Sequence, residues 1–144
     1  MELQSLEQQA KTIVIEELIN VFKNVFKNDE KKPWFWYMVL SQNSNLTLEI
    51  VNKYPDKPWN WWKISANKNI TMEVIDKYPN KPWEWGEYFS RFSREWGEYG
   101  ISQNPNLTIE ILDKYHDKPW DWSEDGISKN SSITIEIIEK YLNK

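Results

Sequence analysis

The chain has 144 residues, with 22 acidic side chains against 18 basic ones, a formal charge of −4 and no cysteine. This balance argues against nucleic acid as a partner, because phosphate binding needs a concentrated positive field, and the lack of cysteine excludes disulfides and thiolate metal sites. No apolar run approaches the roughly 20 residues that span a bilayer, and the N-terminus has no signal-peptide pattern. We therefore expect a soluble, intracellular protein that does not bind membranes.

The first segment, residues 1–32, has helical periodicity. Its apolar residues recur at spacings of three and four, and they are Leu3, Leu6, Ala10, Ile13, Val14, Leu18, Val21, Phe22, Val25 and Phe26. The pattern predicts one or two helices from about Glu2 to Lys27. Two roles stay open: a cap on the following array, which repeat proteins require, or a helix that self-associates. The stretch that a cap would cover, PWFWYMVLS, has no charged residue, so it is either covered or an exposed interface.

From residue 33 onward, one motif recurs about every 24–25 residues. It reads N-x-N-h-T-h-E-h-h-x-K-Y-x-x-K-P-W-x-W, with h apolar and x variable, and a short tail follows that ends in an apolar residue and Ser. Repetition at this period is typical of solenoids built from small helical units. The threonines of the motif are Thr47, Thr71, Thr108 and Thr134, and its PWxW prolines are Pro33, Pro58, Pro82 and Pro119.

Each copy of the motif predicts a first short helix, as in Leu48–Tyr54. Thr47 is a suitable N-cap, and Glu49 suits the first turn, where a carboxylate stabilises the helix dipole. Apolar and polar residues of this helix fall on opposite arcs. Glu49 and Lys53, four residues apart, are predicted to pair along the helix, as are their counterparts in later copies.

The stretch KPWNWWKIS, residues 57–65, predicts a second helix that opens near Pro58 with Asp56 as its cap. Trp59 and Trp61 would lie about 160° apart around the axis, so we expect one to pack within its own copy and the other to reach a neighbouring copy. The predicted fold is therefore all-α: a short α/α repeat solenoid, with two short helices per copy and a longer N-terminal capping helix.

An insertion interrupts the repeat at residues 83–102, where WGEY occurs twice, eleven residues apart. A tandem duplication explains this, and a neutral insertion is one interpretation. The only two arginines of the chain lie here, among aromatic residues, and Arg with Tyr and Trp is typical of interface hot spots. We therefore predict a partner-binding spot formed by Arg91, Arg94, Tyr88, Phe92 and Trp96.

The residue between the two tryptophans of PWxW differs from copy to copy. These positions are predicted to be surface residues that read a partner, and they are Phe35, Asn60, Glu84 and Asp121. Other chemistry is sparse: the single histidine, His116, occupies a turn position, and no phosphate loop or nucleophile–base spacing is present. We expect no enzyme activity, no metal and no cofactor.

The stretch NPNLTIEILDKYHDKPWDW, followed by ISKN, resembles the tryptophan-rich short repeats, NPNITxEIIxxxPDKPWxWxxIS, of uncharacterised proteins from giant DNA viruses such as mimivirus relatives. The resemblance covers about residues 33–141 and omits the N-terminal segment. It implies a viral repeat protein of the host cytoplasm or the virion. It carries no catalytic residues over to this chain.

Together these patterns predict a single repeat domain over residues 1–144, with a cap at 1–32, regular repeats at 33–82, the insertion at 83–102 and C-terminal repeats at 103–144. The predicted function is a non-enzymatic scaffold that binds a host or virion protein. Two alternatives stay open: a structural protein that self-assembles through its N-terminal helix, and a ligand-binding module with an exposed tryptophan platform.

Overall fold

A computed structural model describes residues 2–27, 32–86, 100–123 and 126–142. These residues are mostly helical and contain no strand, only one isolated antiparallel bridge between Gly86 and Trp120. The all-α class and the long N-terminal helix are confirmed. The helices are α1 (Glu2–Phe26), a π-helix (Phe35–Leu40), α2 (Leu48–Lys53), α3 (Trp61–Ser65), α4 (Glu73–Lys77), a 3₁₀-helix (Ile101–Gln103), α5 (Ile109–Lys114), a second 3₁₀-helix (Ile127–Lys129) and α6 (Ile135–Leu142). Among them, none is both long and apolar enough to cross a bilayer.

The contacts divide the chain into two compact units, residues 1–60 (unit 1) and 61–144 (unit 2). Unit 1 holds α1, the π-helix and α2, and unit 2 holds the remaining helices. The division falls between the two tryptophans of the second PWxW element.

In unit 1, α1 packs through one narrow stripe. Thr12, Ile15, Ile19 and Phe22 are buried, and their spacing of three or four residues places them on one face of a helix. Phe22 stacks on Phe35, with ring centroids 3.7 Å apart and planes within 6°. The prediction that this segment covers the uncharged stretch PWFWYMVLS is therefore correct for the face that holds Phe35.

The same uncharged stretch has a second, open face. Its residues Phe35, Trp36 and Leu40 are buried, whereas Trp34, Tyr37 and Met38 are exposed. The two interpretations of this stretch, covered core and exposed patch, thus apply to opposite sides of one helix.

The start of α2 agrees with the prediction. Thr47 has extended backbone angles, φ −116° and ψ 159°, and its hydroxyl accepts a hydrogen bond from the Ile50 N–H. The Thr12 hydroxyl of α1 donates to Glu49 at 3.0 Å, which ties α1 to the start of α2.

In three of the four first helices, the lysine of the last turn binds a carboxylate outside that helix. Lys53 contacts Glu16 of α1, whereas Lys114 contacts Asp76 of α4 at 2.5 Å and Lys140 contacts Asp113 of α5 at 2.7 Å. The sequence predicts that each of these lysines pairs with the glutamate four residues earlier in its own helix, and the ammonium groups bind other carboxylates instead. Glu16 also holds the place in unit 1 that the aspartates of preceding helices hold in unit 2.

The predicted second helix is shorter than expected, and in later copies it is nearly absent. Helix α3 begins at Trp61 rather than near Pro58, and Pro82–Trp85 is not helical. The backbone there bonds to the preceding copy instead: the Asn60 N–H donates to Ser41 Oγ at 2.9 Å, and the Glu84 N–H donates to Ser65 Oγ at 3.0 Å. Helix propensity is a weak preference that such tertiary bonds override.

Candidate functional site

The second tryptophan of each of the first three PWxW elements packs edge-on against the first tryptophan of the following element. The rings make angles of 77–89°, with centroids 5.0–5.3 Å apart, and the pairs are Trp36–Trp59, Trp61–Trp83 and Trp85–Trp120. All six rings are at most 9% exposed. Edge-to-face pairs of this kind stabilise a core beyond their buried area.

The other tryptophan of each pair, which is the first of its own PWxW element, is also fixed within its own copy. The indole N–H of Trp59 donates to the carbonyl of Tyr54 at 2.8 Å, and Trp83 and Trp120 repeat this bond to the tyrosine five residues before each of them. The prediction that one tryptophan reaches a neighbouring copy is confirmed for Trp61, whereas Trp59, expected to stay within its own copy, is bonded there and also packs on Trp36 of the preceding copy. These indoles form the core and leave no face for a ligand to stack on.

Polar side chains join successive copies in the same way. Ser65 donates to the Trp61 carbonyl at 2.8 Å and accepts the Glu84 N–H, and Ser102 bonds the Trp85 carbonyl and accepts the Asp121 N–H at 3.1 Å. Because these hydroxyls are almost fully buried, their role is to satisfy backbone groups. Sequence reasoning missed this role, although the recurring Ser of the motif tail was its signal.

The asparagines of the motif act as further links. Asn104 donates through its side-chain amide to the carbonyls of Ser65 and Asn67 at 3.2 and 3.3 Å, and Asn130 donates to those of Ser102 and Asn104 at 3.1 and 2.9 Å. Each asparagine oxygen accepts the N–H two residues further on. Each amide side chain thus stabilises the turn of its own loop through its oxygen and anchors that loop to the preceding copy through its nitrogen.

The residues between the two tryptophans do not lie on the surface. Phe35, Asn60 and Asp121 are buried and Glu84 is half-buried, so the prediction that they read a partner from an exposed position is wrong. At Asn60, Glu84 and Asp121 the cause is the backbone bond to a buried serine of the preceding copy. Phe35 is instead buried by stacking on Phe22. Glu84 accepts the Gly86 N–H at 2.9 Å, and burial raises the pKa of the Glu84 carboxyl.

The predicted hot spot of Arg91, Arg94, Tyr88, Phe92 and Trp96 lies outside the described residues. The two ends of this insertion are described, and they meet. The Glu84 carbonyl accepts the Ile101 N–H at 2.8 Å, just as the Asp121 carbonyl accepts the Ile127 N–H at 2.7 Å where no insertion is present.

This equivalence gives the insertion a definite length. The path from Trp85 to Gly100 is eleven residues longer than the path from Trp122 to Gly126, which equals the spacing of the two WGEY copies. A Cβ atom on either of these glycines would overlap the carbonyl oxygen beneath it. The insertion therefore begins and ends beside a backbone hydrogen bond that the last copy of the motif forms without any insertion.

Unit 2 contains an open groove of about 670 Å³ that crosses three copies of the motif. Its lining combines apolar side chains with three carboxylates and has no basic side chain; the residues are Thr71, Met72, Glu73, Asp76, Pro105, Asn106, Leu107, Thr108, Ile109, Glu110, Ile111, Ser132 and Ile137. The helix starts of α4 and α5 bring Glu73 and Glu110 to this groove, because each is the second residue after the threonine that precedes its helix.

Two of the carboxylates are held in the charged form. Hydrogen bonds from Lys114 and Tyr115 lower the pKa of Asp76, and a hydrogen bond from the Thr108 hydroxyl lowers the pKa of Glu110. The groove therefore keeps its negative charge at neutral pH and into mild acid. Burial, with the hydrogen bond to Asp76, raises the pKa of Tyr115 to about 12.

Comparison with family models, with curated proteins and with solved structures found no match to this chain. In the part of the chain that the structure describes, no group of three or more His, Asp or Glu side chains is placed to hold a metal ion.

Proposed function

We propose that this protein is a non-enzymatic protein-interaction scaffold, and that the groove of unit 2 binds an extended segment of a protein partner. The supporting observation is the groove itself, which joins apolar and acidic side chains from three motif copies. In this proposal the copies stack as a short repeat solenoid, whose extended surface is typically used for binding.

The lining selects the chemistry of the partner. Met72, Ile109 and Ile137 offer apolar contacts, while Glu73 and Glu110 present carboxylates on exposed positions. Complementary charge speeds association and suppresses wrong partners. The expected occupant is therefore a segment that carries both Lys or Arg and apolar side chains.

The insertion serves the same function in this proposal. The backbone bond that joins the ends of the insertion forms between Asp121 and Ile127 without any insertion. The sequence of the insertion is therefore free to serve a partner rather than the fold. Replacing Arg91 and Arg94 with alanine should weaken partner binding and leave the melting temperature unchanged. From the resemblance of the motif to repeats of giant DNA viruses, we infer a viral protein whose partner is a host or virion protein.

The test selects binders from a phage-displayed library of random peptides about twelve residues long, a length that would span the groove when extended. The selected peptides are then titrated by fluorescence anisotropy. We expect enrichment in basic and apolar residues, and the double variant Glu73→Lys/Glu110→Lys should weaken binding about tenfold or more.

The matched control is Asp56→Lys/Asp117→Lys, which makes the same change in net charge at exposed positions outside the groove. It should bind the selected peptides like the unmodified protein, apart from a small general effect of charge. Equal loss in both double variants would show that only net charge matters, and selected peptides without basic residues would contradict the proposed chemistry.

A further inference from the structure

Helix α1 has two apolar faces, and unit 1 covers only one of them. The second face consists of exposed side chains with 51–82% of their surface accessible, and they are Leu3, Leu6, Ile13, Val14, Val21 and Val25. Around the helix axis these residues lie opposite the buried stripe of Thr12, Ile15, Ile19 and Phe22. An exposed apolar patch of this extent marks an interaction site.

The face follows the whole helix. Leu3, Val14 and Val25 are eleven residues apart, and eleven residues take three turns of a straight helix. The helix of 25 residues is about 37 Å long. Residues 3–10 are all exposed, so nothing in the described chain packs on this part of α1.

The charges of α1 favour one kind of occupant. Acidic Glu7 lies toward its start, and basic Lys23 lies in its last turn, with Lys27 just beyond. An antiparallel copy of the same helix places each acidic end beside a basic end and opposes the two helix dipoles. An anionic membrane surface fits poorly, because it is attracted to basic segments, whereas α1 has more acidic than basic residues.

We propose that this face of α1 binds the same face of a second copy of the chain, antiparallel, with the twofold axis at Val14. The order of the apolar residues is nearly symmetric about that position. It sets Val14 against Val14 and Leu3 against Val25, and it brings Leu6 and Val21 to within one residue of direct opposition. A twofold interface of this kind uses one self-complementary patch. The narrow contact is at the small end of specific interfaces, so the dimer dissociates on the order of micromolar concentrations.

Sedimentation equilibrium, across loading concentrations from about 5 to about 500 µM, tests the dimer. The unmodified chain should shift from monomer to dimer, and Val14→Glu should weaken the dissociation constant about tenfold or more, because it opposes two carboxylates at the axis. The control, Gln8→Glu, adds the same charge at an exposed position on the opposite side of α1 and should dimerise normally. Circular dichroism checks that both variants keep their helix content.

Orientation has its own test, because the chain has no cysteine. Chains carrying Leu3→Cys are mixed with chains carrying Val25→Cys and oxidised. Antiparallel packing predicts the mixed cross-link, whereas predominant cross-links between identical chains would overturn the antiparallel arrangement. A monomer at every concentration, or a Val14→Glu dimer as tight as the unmodified one, would overturn the interface. Neither experiment alters the groove of unit 2, so this proposal and the proposed function fail separately.

Discussion

Replacing Ser65 with alanine removes one hydroxyl that joins two copies of the motif inside unit 2. Ser65 is 2% exposed, and it accepts the Glu84 N–H at 3.0 Å while donating to the Trp61 carbonyl at 2.8 Å. The variant leaves the backbone N–H of Glu84 without its partner. An orphaned buried donor costs about 1–3 kcal/mol, so the free energy of unfolding should fall by about that amount.

Ser128 provides the matched control, since it holds the same place in the last copy of the motif. Its hydroxyl donates to the Trp122 carbonyl at 3.1 Å, but it is exposed, and no described N–H donates to it. Ser128→Ala should change the free energy of unfolding by less than about 0.5 kcal/mol. Urea unfolding followed by tryptophan fluorescence measures both variants. Equal effects would refute the argument that the recurring serine links successive copies.

Three further outcomes follow from the same contacts. Deleting residues 86–96, one copy of the duplication, should leave the urea midpoint unchanged, and a loss of cooperative unfolding would show that the insertion holds the fold. Burial, with the hydrogen bond to Asp113, raises the pKa of Tyr141 to about 12; because this value lies above that of an unfolded tyrosine, about 10, the stabilisation is complete below pH 10 and is lost as the pH rises through 12. Ultraviolet titration should show this late ionisation, and Asp113→Asn should move it toward 10. Gly126→Ala, whose methyl would overlap the Asp121 carbonyl, should lower the free energy of unfolding by more than about 1 kcal/mol, and an unchanged urea midpoint would contradict the close approach.

The sequence predicts the contacts that depend on periodicity and capping. The spacing of α1 and the Thr47 cap are both local features, and the structure has them as expected. The contact of Trp61 with the next copy is also as predicted, although the geometry differs, because only Trp61 lies in a helix.

The sequence could not show where backbone groups find partners in other copies. The bond from the Asn60 N–H to Ser41 spans 19 residues and leaves no trace in local propensity. This bond, with its counterpart at Asp121, shortens the second helix and buries the residue between the tryptophans, which reversed the expected exposure of Asn60 and Asp121. The groove was missed for a related reason. In the sequence Glu110 belongs to the polar, solvent-exposed side of one helix, and only the packing of several copies brings it beside the other residues of the groove.

Mapping a selected peptide onto the protein tests the proposed function most directly. Amide chemical shifts of isotopically labelled protein are recorded as the peptide is added. The account predicts that the shifts concentrate at Thr71–Asp76 and Asn106–Ile111, on both sides of the acidic groove. Shifts confined to α1, or spread evenly over all copies of the motif, would contradict it.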